Sequence, residues 1–214
     1  MSELASDTLS ETLPLDKKNM RKINIAIFVS GEGTNCENLI RHFQGNENVG
    51  VSVVVSSKPE ARAIERAQRL GVPAKVITRR EFSEDPRLVL KTVEGCDLIV
   101  LAGFLLFIPD YLLERFHRRI INIHPSLLPK YGGKGMWGHH VHEAVKAAGE
   151  TETGITIHYV DARIDAGECI AQYRTALSPH DTPDDIAAKV HALEKQYFPK
   201  VVEDIAMGLK ERQG

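Results

Sequence analysis

The stretch Ile120-Ile121-Asn122-Ile123-His124-Pro125-Ser126-Leu127-Leu128-Pro129 sets a carboxamide and an imidazole two residues apart at the end of an apolar run. Residues i and i+2 of a strand project from one face, so Asn122 and His124 can reach a single substrate atom together if the strand extends to His124. The pair offers a neutral hydrogen-bond donor and a titratable acid. Pro125 and Pro129 then end regular structure and stiffen the loop that follows. Taken alone, the decapeptide is equally compatible with a strand that ends in polar capping residues. The remainder of the chain decides between them.

A second candidate follows the first apolar run. Residues 23–29 are rich in β-branched side chains and short enough for a strand buried on both faces. They lead into Ser30-Gly31-Glu32-Gly33-Thr34-Asn35 and a helical pattern over residues 36–43. A glycine loop between strand and helix turns free backbone N–H groups outward, and the helix dipole adds to the attraction for an anion. Thr34 and Asn35 can cap the helix or donate to a phosphate. A dinucleotide site would need a further glycine and an acid about 20 residues on, but position 36 is Cys and the next strand ends Val55-Ser56-Ser57-Lys58. The loop therefore suits a monophosphate, with a plain tight turn as the alternative.

Three further groups carry weaker signals. Phe104-Leu105-Leu106-Phe107-Ile108 runs on past a strand at residues 97–103, as an apolar wall for a flat heterocycle or as a core connector. Asp161-Ala162-Arg163-Ile164-Asp165-Ala166-Gly167 is a polar loop with two carboxylates. His139, His140 and His142 have only Glu143 at ligand spacing, so a polar helix start is favoured and no metal is expected. The glycine-rich loop over residues 130–140 is expected on the surface and mobile.

The elements that must position these groups alternate. Strands are expected at residues 23–29, 51–55, 74–78, 97–103 and 119–123, with helices at 36–43, 59–70, 79–95 and 109–117, Pro86 taking a first-turn position. Such alternation implies an α/β fold with one doubly wound, mostly parallel sheet and a site beyond the strand carboxyl ends. The glycine loop, the Phe104 segment and Asn122 with His124 all lie at such ends. Alternating strands at 154–160 and 169–173 add an antiparallel C-terminal pair. A capped helix then starts at Thr182-Pro183-Asp184-Asp185 and carries His191 and Glu194, with Pro199 expected to kink or divide it.

Composition narrows the function classes. At 214 residues the chain suits one domain, here expected over 20–214 after a polar, disordered extension at 1–19. From Met20 onward acidic and basic residues number 25 each, which argues against a nucleic-acid binder. No apolar run reaches the roughly 18 residues of a membrane span. Cys36, Cys96 and Cys169 are far apart and without Cys-x-x-Cys spacing, which fits a reducing cytoplasm better than a disulfide framework or zinc site.

The chain resembles the folate-dependent formyltransferases, and within them the purine-biosynthetic branch that acts on glycinamide ribonucleotide. The match runs from about residue 20 to the helix around Pro199. It rests on Ser30-Gly31-x-Gly33-Thr34-Asn35, Leu101-Ala102-Gly103-Phe104, Asn122-Ile123-His124-Pro125-Ser126-Leu127-Leu128-Pro129-Lys130-Tyr131, Gly154-x-Thr156-x-His158-Tyr159-Val160 and Asp165-x-Gly167. The resemblance implies a Rossmann-like formyltransferase fold, 10-formyltetrahydrofolate as co-substrate, and Asn122, His124 and Asp165 as the catalytic set. It also implies phosphate binding by Gly33, Thr34 and Asn35, and Glu194 near the substrate amine. The folate would lie against Leu105, Leu106, Phe107 and Ile108, with Asn122, Asp161 and Asp165 beside it. Small-molecule partners, with the chain a monomer or homodimer, are expected.

There are departures from the family pattern. Leu106 stands where a basic residue is common, the segment over residues 82–97 is shortened, and the loop over 132–140 lacks the usual proline. No residue is assigned in place of the family's folate-contacting Arg. A formyltetrahydrofolate deformylase would use the same three residues on water, but with a regulatory domain ahead of the first strand. A methionyl-tRNA formyltransferase would carry a further C-terminal domain. A non-catalytic phosphometabolite-binding module would explain the glycine loop and leave Asn122, His124 and Asp165 unused.

Overall fold

In β1 (Ile23–Val29) the run, apolar except at Asn24, has two destinations. Ile23, Ile25, Ile27 and Val29 pack into one hydrophobic layer, Ala26 and Phe28 into a second on the opposite face. A strand covered on both sides has no solvent face to make polar. In the computed structural model, which describes residues 21–212, β1 lies inside a seven-stranded sheet. The extension expected over residues 1–19 lies outside the described residues.

The other strands are β2 (Val49–Ser56), β3 (Ala74–Val76), β4 (Leu98–Leu101), β5 (Ile120–His124), β6 (Glu152–Tyr159) and β7 (Cys169–Ala176). Their order is β3-β2-β1-β4-β5-β6-β7. The first five run parallel, while β6 is antiparallel to β5 and β7 to β6. The winding reverses between β1 and β4, and ligands of such sheets bind at that switch point.

One layer holds α1 (Thr34–Phe43), α2 (Arg62–Arg69) and α7 (Pro183–Glu211), the other α3 (Arg79–Glu84), α4 (Pro86–Thr92) and α5 (Asp110–Arg115). The single helical stretch expected over residues 79–95 is thus two helices. The Asp85 side chain caps the second by accepting from the Leu88 N–H at 3.0 Å, and Pro86 follows at a position with no N–H to lose. α6 (His139–Ala147) packs on α7 through Val141, Val145 and Ile186. Among the described residues, no helix is long and apolar enough to cross a membrane.

Pro199 does not divide the last helix, which runs through it for 29 residues behind a Thr182/Asp185 capping box. A proline frees the carbonyl four residues earlier, here that of Lys195. The Asn38 side chain, from α1, donates to this carbonyl at 3.1 Å. Tertiary contact supplies the missing donor.

Candidate functional site

The parity of β5 aims the site. Ile121 and Ile123 enter the first layer and Ile120 the second, so Asn122 and His124 share the face of Ile120. The strand does reach His124, and both side chains line a cleft of about 820 Å³ at the carboxyl ends of β1, β4 and β5.

His124 is 4% exposed, and its Nε2 is 2.7 Å from the Tyr131 carbonyl oxygen. A carbonyl only accepts, so Nε2 carries a hydrogen and Nδ1 is the atom left to exchange a proton. Nδ1 stands 3.6 Å from Asp165 Oδ2. Asp165 Oδ2 also accepts the Gly133 N–H at 2.9 Å, which ties the glycine-rich loop to the carboxylate that faces His124. That loop, expected as surface chain, forms part of the cleft wall through Gly133, Lys134, Met136 and Trp137. Asp165 holds φ 51°, the left-handed region that Asp tolerates better than most residues. At Gly167, two positions on, a Cβ would lie 1.8 Å from the Tyr159 carbonyl oxygen. Only glycine lets the loop close there.

The opposite wall is the glycine loop. Gly33 sits at φ 73°, heads α1, and approaches α2 so closely that a Cβ would lie 2.4 Å from the Ala63 Cβ. Neither Thr34 nor Asn35 caps the helix, because both already lie within it and no side chain caps its start. The first-turn N–H groups of such a helix have no intrahelical acceptor, and here they border the cleft. Asn35 instead hydrogen-bonds Glu194 of α7. Burial pushes the Glu194 carboxyl above its ordinary range, opposed by His191 and by Asn35.

Phe104, Leu105, Leu106 and Phe107 supply the apolar wall. Phe104 is seated edge-on against Phe28 and Phe82, each at 5.2 Å between ring centres. The Leu105 N–H donates to Ser30 Oγ at 2.9 Å, which links this segment to the end of β1. Ile108 packs in the second core layer and does not line the cleft. Nor does Asp161, which accepts from the Arg163 guanidinium at 2.9 Å. Among the described residues, no group of three or more His, Cys, Asp or Glu side chains is arranged to hold a metal.

Sequence reasoning gave His158 no role. His158 lies opposite Asn122 in the β5/β6 register, with its Nε2 3.1 Å from Asn122 Nδ2 and 3.7 Å from Asp165 Oδ1. The signal was the alternation of Ile155 and Ile157 with Thr156 and His158, but only pairing to β5 brings it to Asn122. His139, His142 and His191 line the cleft beside His124. Burial is the main cause that pushes His142 down to about 4, with the charges of His191, His139 and His124 adding to it.

A family model for formyl transferase matches residues 23–202. The chain belongs to the formyl transferase family. It is 34% identical to the phosphoribosylglycinamide formyltransferase of Bacillus subtilis (strain 168), covering 87% of this chain and 96% of that one. It is 37% identical to the chloroplastic phosphoribosylglycinamide formyltransferase of Vigna unguiculata, over 86% of this chain and 61% of the relative's length. The crystal structure of the Anaplasma phagocytophilum phosphoribosylglycinamide formyltransferase superposes with a TM-score of 0.79 at 33% identity, covering 87% and 88% of the two chains. Within the family the chain stands with the phosphoribosylglycinamide formyltransferases.

Proposed function

We propose that this chain transfers the formyl group of 10-formyltetrahydrofolate to the amine of glycinamide ribonucleotide in purine biosynthesis, with Asn122, His124 and Asp165 as the reacting set. The observation that supports this most is their convergence on a cleft whose opposite wall is an uncapped helix start. An anionic substrate and a formyl donor can thus meet between the two walls. The apolar segment Leu105, Leu106 and Phe107, with Ile164 half exposed across from it, fits a flat folate heterocycle.

In this reading Gly33, Thr34 and Asn35 hold the substrate phosphate, and Glu194 accepts from the substrate near its amine. The segment from Leu105 to Phe107 and the loop at Ile164 and Asp165, which line the cleft, receive the folate head; Ile108 and Asp161, outside it, take no part. As the amine attacks the formyl carbon, negative charge grows on the formyl oxygen. Asn122 Nδ2 and His124 Nδ1 donate to it, and each such preorganised donor is worth roughly 10²–10³ in rate. The new C–N bond forms, the bond to the folate N10 breaks, N10 takes a proton from His124 Nδ1, and the proton that the attacking amine loses returns to that nitrogen, so the ring ends as it began. Asp165 Oδ2, 3.6 Å from His124 Nδ1, is the carboxylate that faces the nitrogen exchanging the proton. A cytoplasmic setting, small-molecule partners and a monomeric or homodimeric state belong to the same proposal.

The test is formyl transfer from 10-formyltetrahydrofolate with and without glycinamide ribonucleotide. Formylated ribonucleotide should form, with negligible folate deformylation in its absence. Deformylation at a comparable rate without the ribonucleotide would make water the acceptor and replace the transferase by the hydrolase.

A further inference from the structure

We propose that His158 is a positioning residue for the transfer: its bare Nε2 holds the Asn122 carboxamide so that an N–H, and not the oxygen, meets the reacting carbonyl. This rests on the formyl-transfer reading of the cleft. His158 is 2% exposed, and its Nδ1 is 2.9 Å from the carbonyl oxygen of Tyr159. That oxygen can only accept, so Nδ1 carries the hydrogen, and in a neutral ring Nε2 is left with a lone pair. Burial, the largest effect, holds His158 below its ordinary range and so keeps the ring neutral.

The group 3.1 Å from Nε2 therefore has to donate, which makes it the amide nitrogen of Asn122. The reverse orientation would press the Asn122 oxygen against the lone pair, and two buried acceptors in contact are costly. One backbone carbonyl thus sets the tautomer of His158, and the tautomer sets the amide. The second hydrogen on Asn122 Nδ2 has no other partner among the described residues, and Asn122 lines the cleft. A flipped carboxamide would turn its oxygen toward an atom that gains negative charge. His158 also leaves Asp165 to His124, because a bare Nε2 at 3.7 Å offers the carboxylate no proton.

The experiment places His158→Leu and His158→Gln in the wild-type and Asn122→Ala backgrounds and measures kcat and both KM values. His158→Leu should lower kcat about 10–100-fold, a part of what a lost oxyanion donor costs, with each KM within about 3-fold. His158→Gln, whose Oε1 can stand near the Nε2 position as acceptor, should recover most of that loss. In the Asn122→Ala background His158→Leu should cost less than about 3-fold, because its route of action is gone. Equal losses in both backgrounds, or a Gln variant as slow as the Leu variant, would overturn the proposal. Histidine 15N spectra of the wild type supply a second readout should the Leu variant not fold. They should show His158 protonated at Nδ1 and bare at Nε2 at neutral pH, and a proton on Nε2 would overturn the assignment. Absence of formyl transfer in the wild type would sink the transfer reading while leaving this tautomer separately measurable.

Discussion

Thr156→Val removes one hydroxyl and almost no volume, yet it should both destabilise the fold and slow the reaction. Thr156 is 1% exposed and lies opposite His124 in the β5/β6 register. Its Oγ1 donates to the Ser126 carbonyl at 2.7 Å and accepts from the Leu128 N–H at 3.0 Å and from Gln172 Nε2 at 2.9 Å. It therefore pins the loop that leaves β5. Gln172 Nε2 keeps a second acceptor, the Leu128 carbonyl at 2.8 Å, so the valine strands two groups, the Ser126 carbonyl and the Leu128 N–H. Unsatisfied buried groups cost about 1–3 kcal/mol each, so the loss from two should be roughly 2–6 kcal/mol. With a urea m-value of about 2 kcal/mol/M, the midpoint should fall by about 1–3 M. Thr156→Ser keeps the hydroxyl and loses one methyl, and should cost no more than about 1 kcal/mol. Equilibrium urea unfolding of the three proteins, with kcat measured beside it, checks this. A valine variant whose midpoint equals that of wild type, or a serine variant as weak as the valine, would refute the role given to the hydroxyl.

Gly33→Ala forces a Cβ to 2.6 Å from the Ala63 Cα at a left-handed φ of 73°. It should raise KM for the ribonucleotide while leaving that for the folate near its wild-type value; equal rises in the two would contradict a local phosphate role. Asn38→Leu leaves the Lys195 carbonyl without its donor opposite Pro199, and urea unfolding should show a loss of about 1 kcal/mol. Glu37 is held down to about 2 from 4.5, chiefly by the Arg66 hydrogen bond and then that of Arg41. A lowered folded value means stability present above about 4.5 and lost as pH falls toward 2. The gap in urea midpoint between wild type and Glu37→Gln should therefore close across that window, and a gap that does not change with pH would contradict the ion-pair account.

The sheet was legible because residues buried on two faces must be apolar, and the runs at β4 and, apart from Asn24, at β1 satisfy that. Asn122 and His124 were legible for the converse reason, as two polar residues on one face of such a run. His158 was not, because its role depends on which strand pairs with β6 and in what register, and periodicity within β6 carries no record of its partner. Pro199 misled for a similar reason. Local rules end a helix there, and the donor that preserves it comes from Asn38, 157 residues from the carbonyl it serves. The split of residues 79–95 was written in Asp85-Pro86, a cap followed by a first-turn proline, which the charge pattern of the segment concealed.

The most direct measurement compares kcat for formyl transfer to glycinamide ribonucleotide in the wild type and in Asn122→Ala, His124→Ala and Asp165→Ala, with the urea midpoint of each recorded alongside. A loss of about 10²-fold or more in each folded variant is expected of groups that act on the developing charge and the departing nitrogen. A folded variant of any of the three that transfers formyl at the wild-type rate would contradict the assignment of Asn122, His124 and Asp165 as the reacting set.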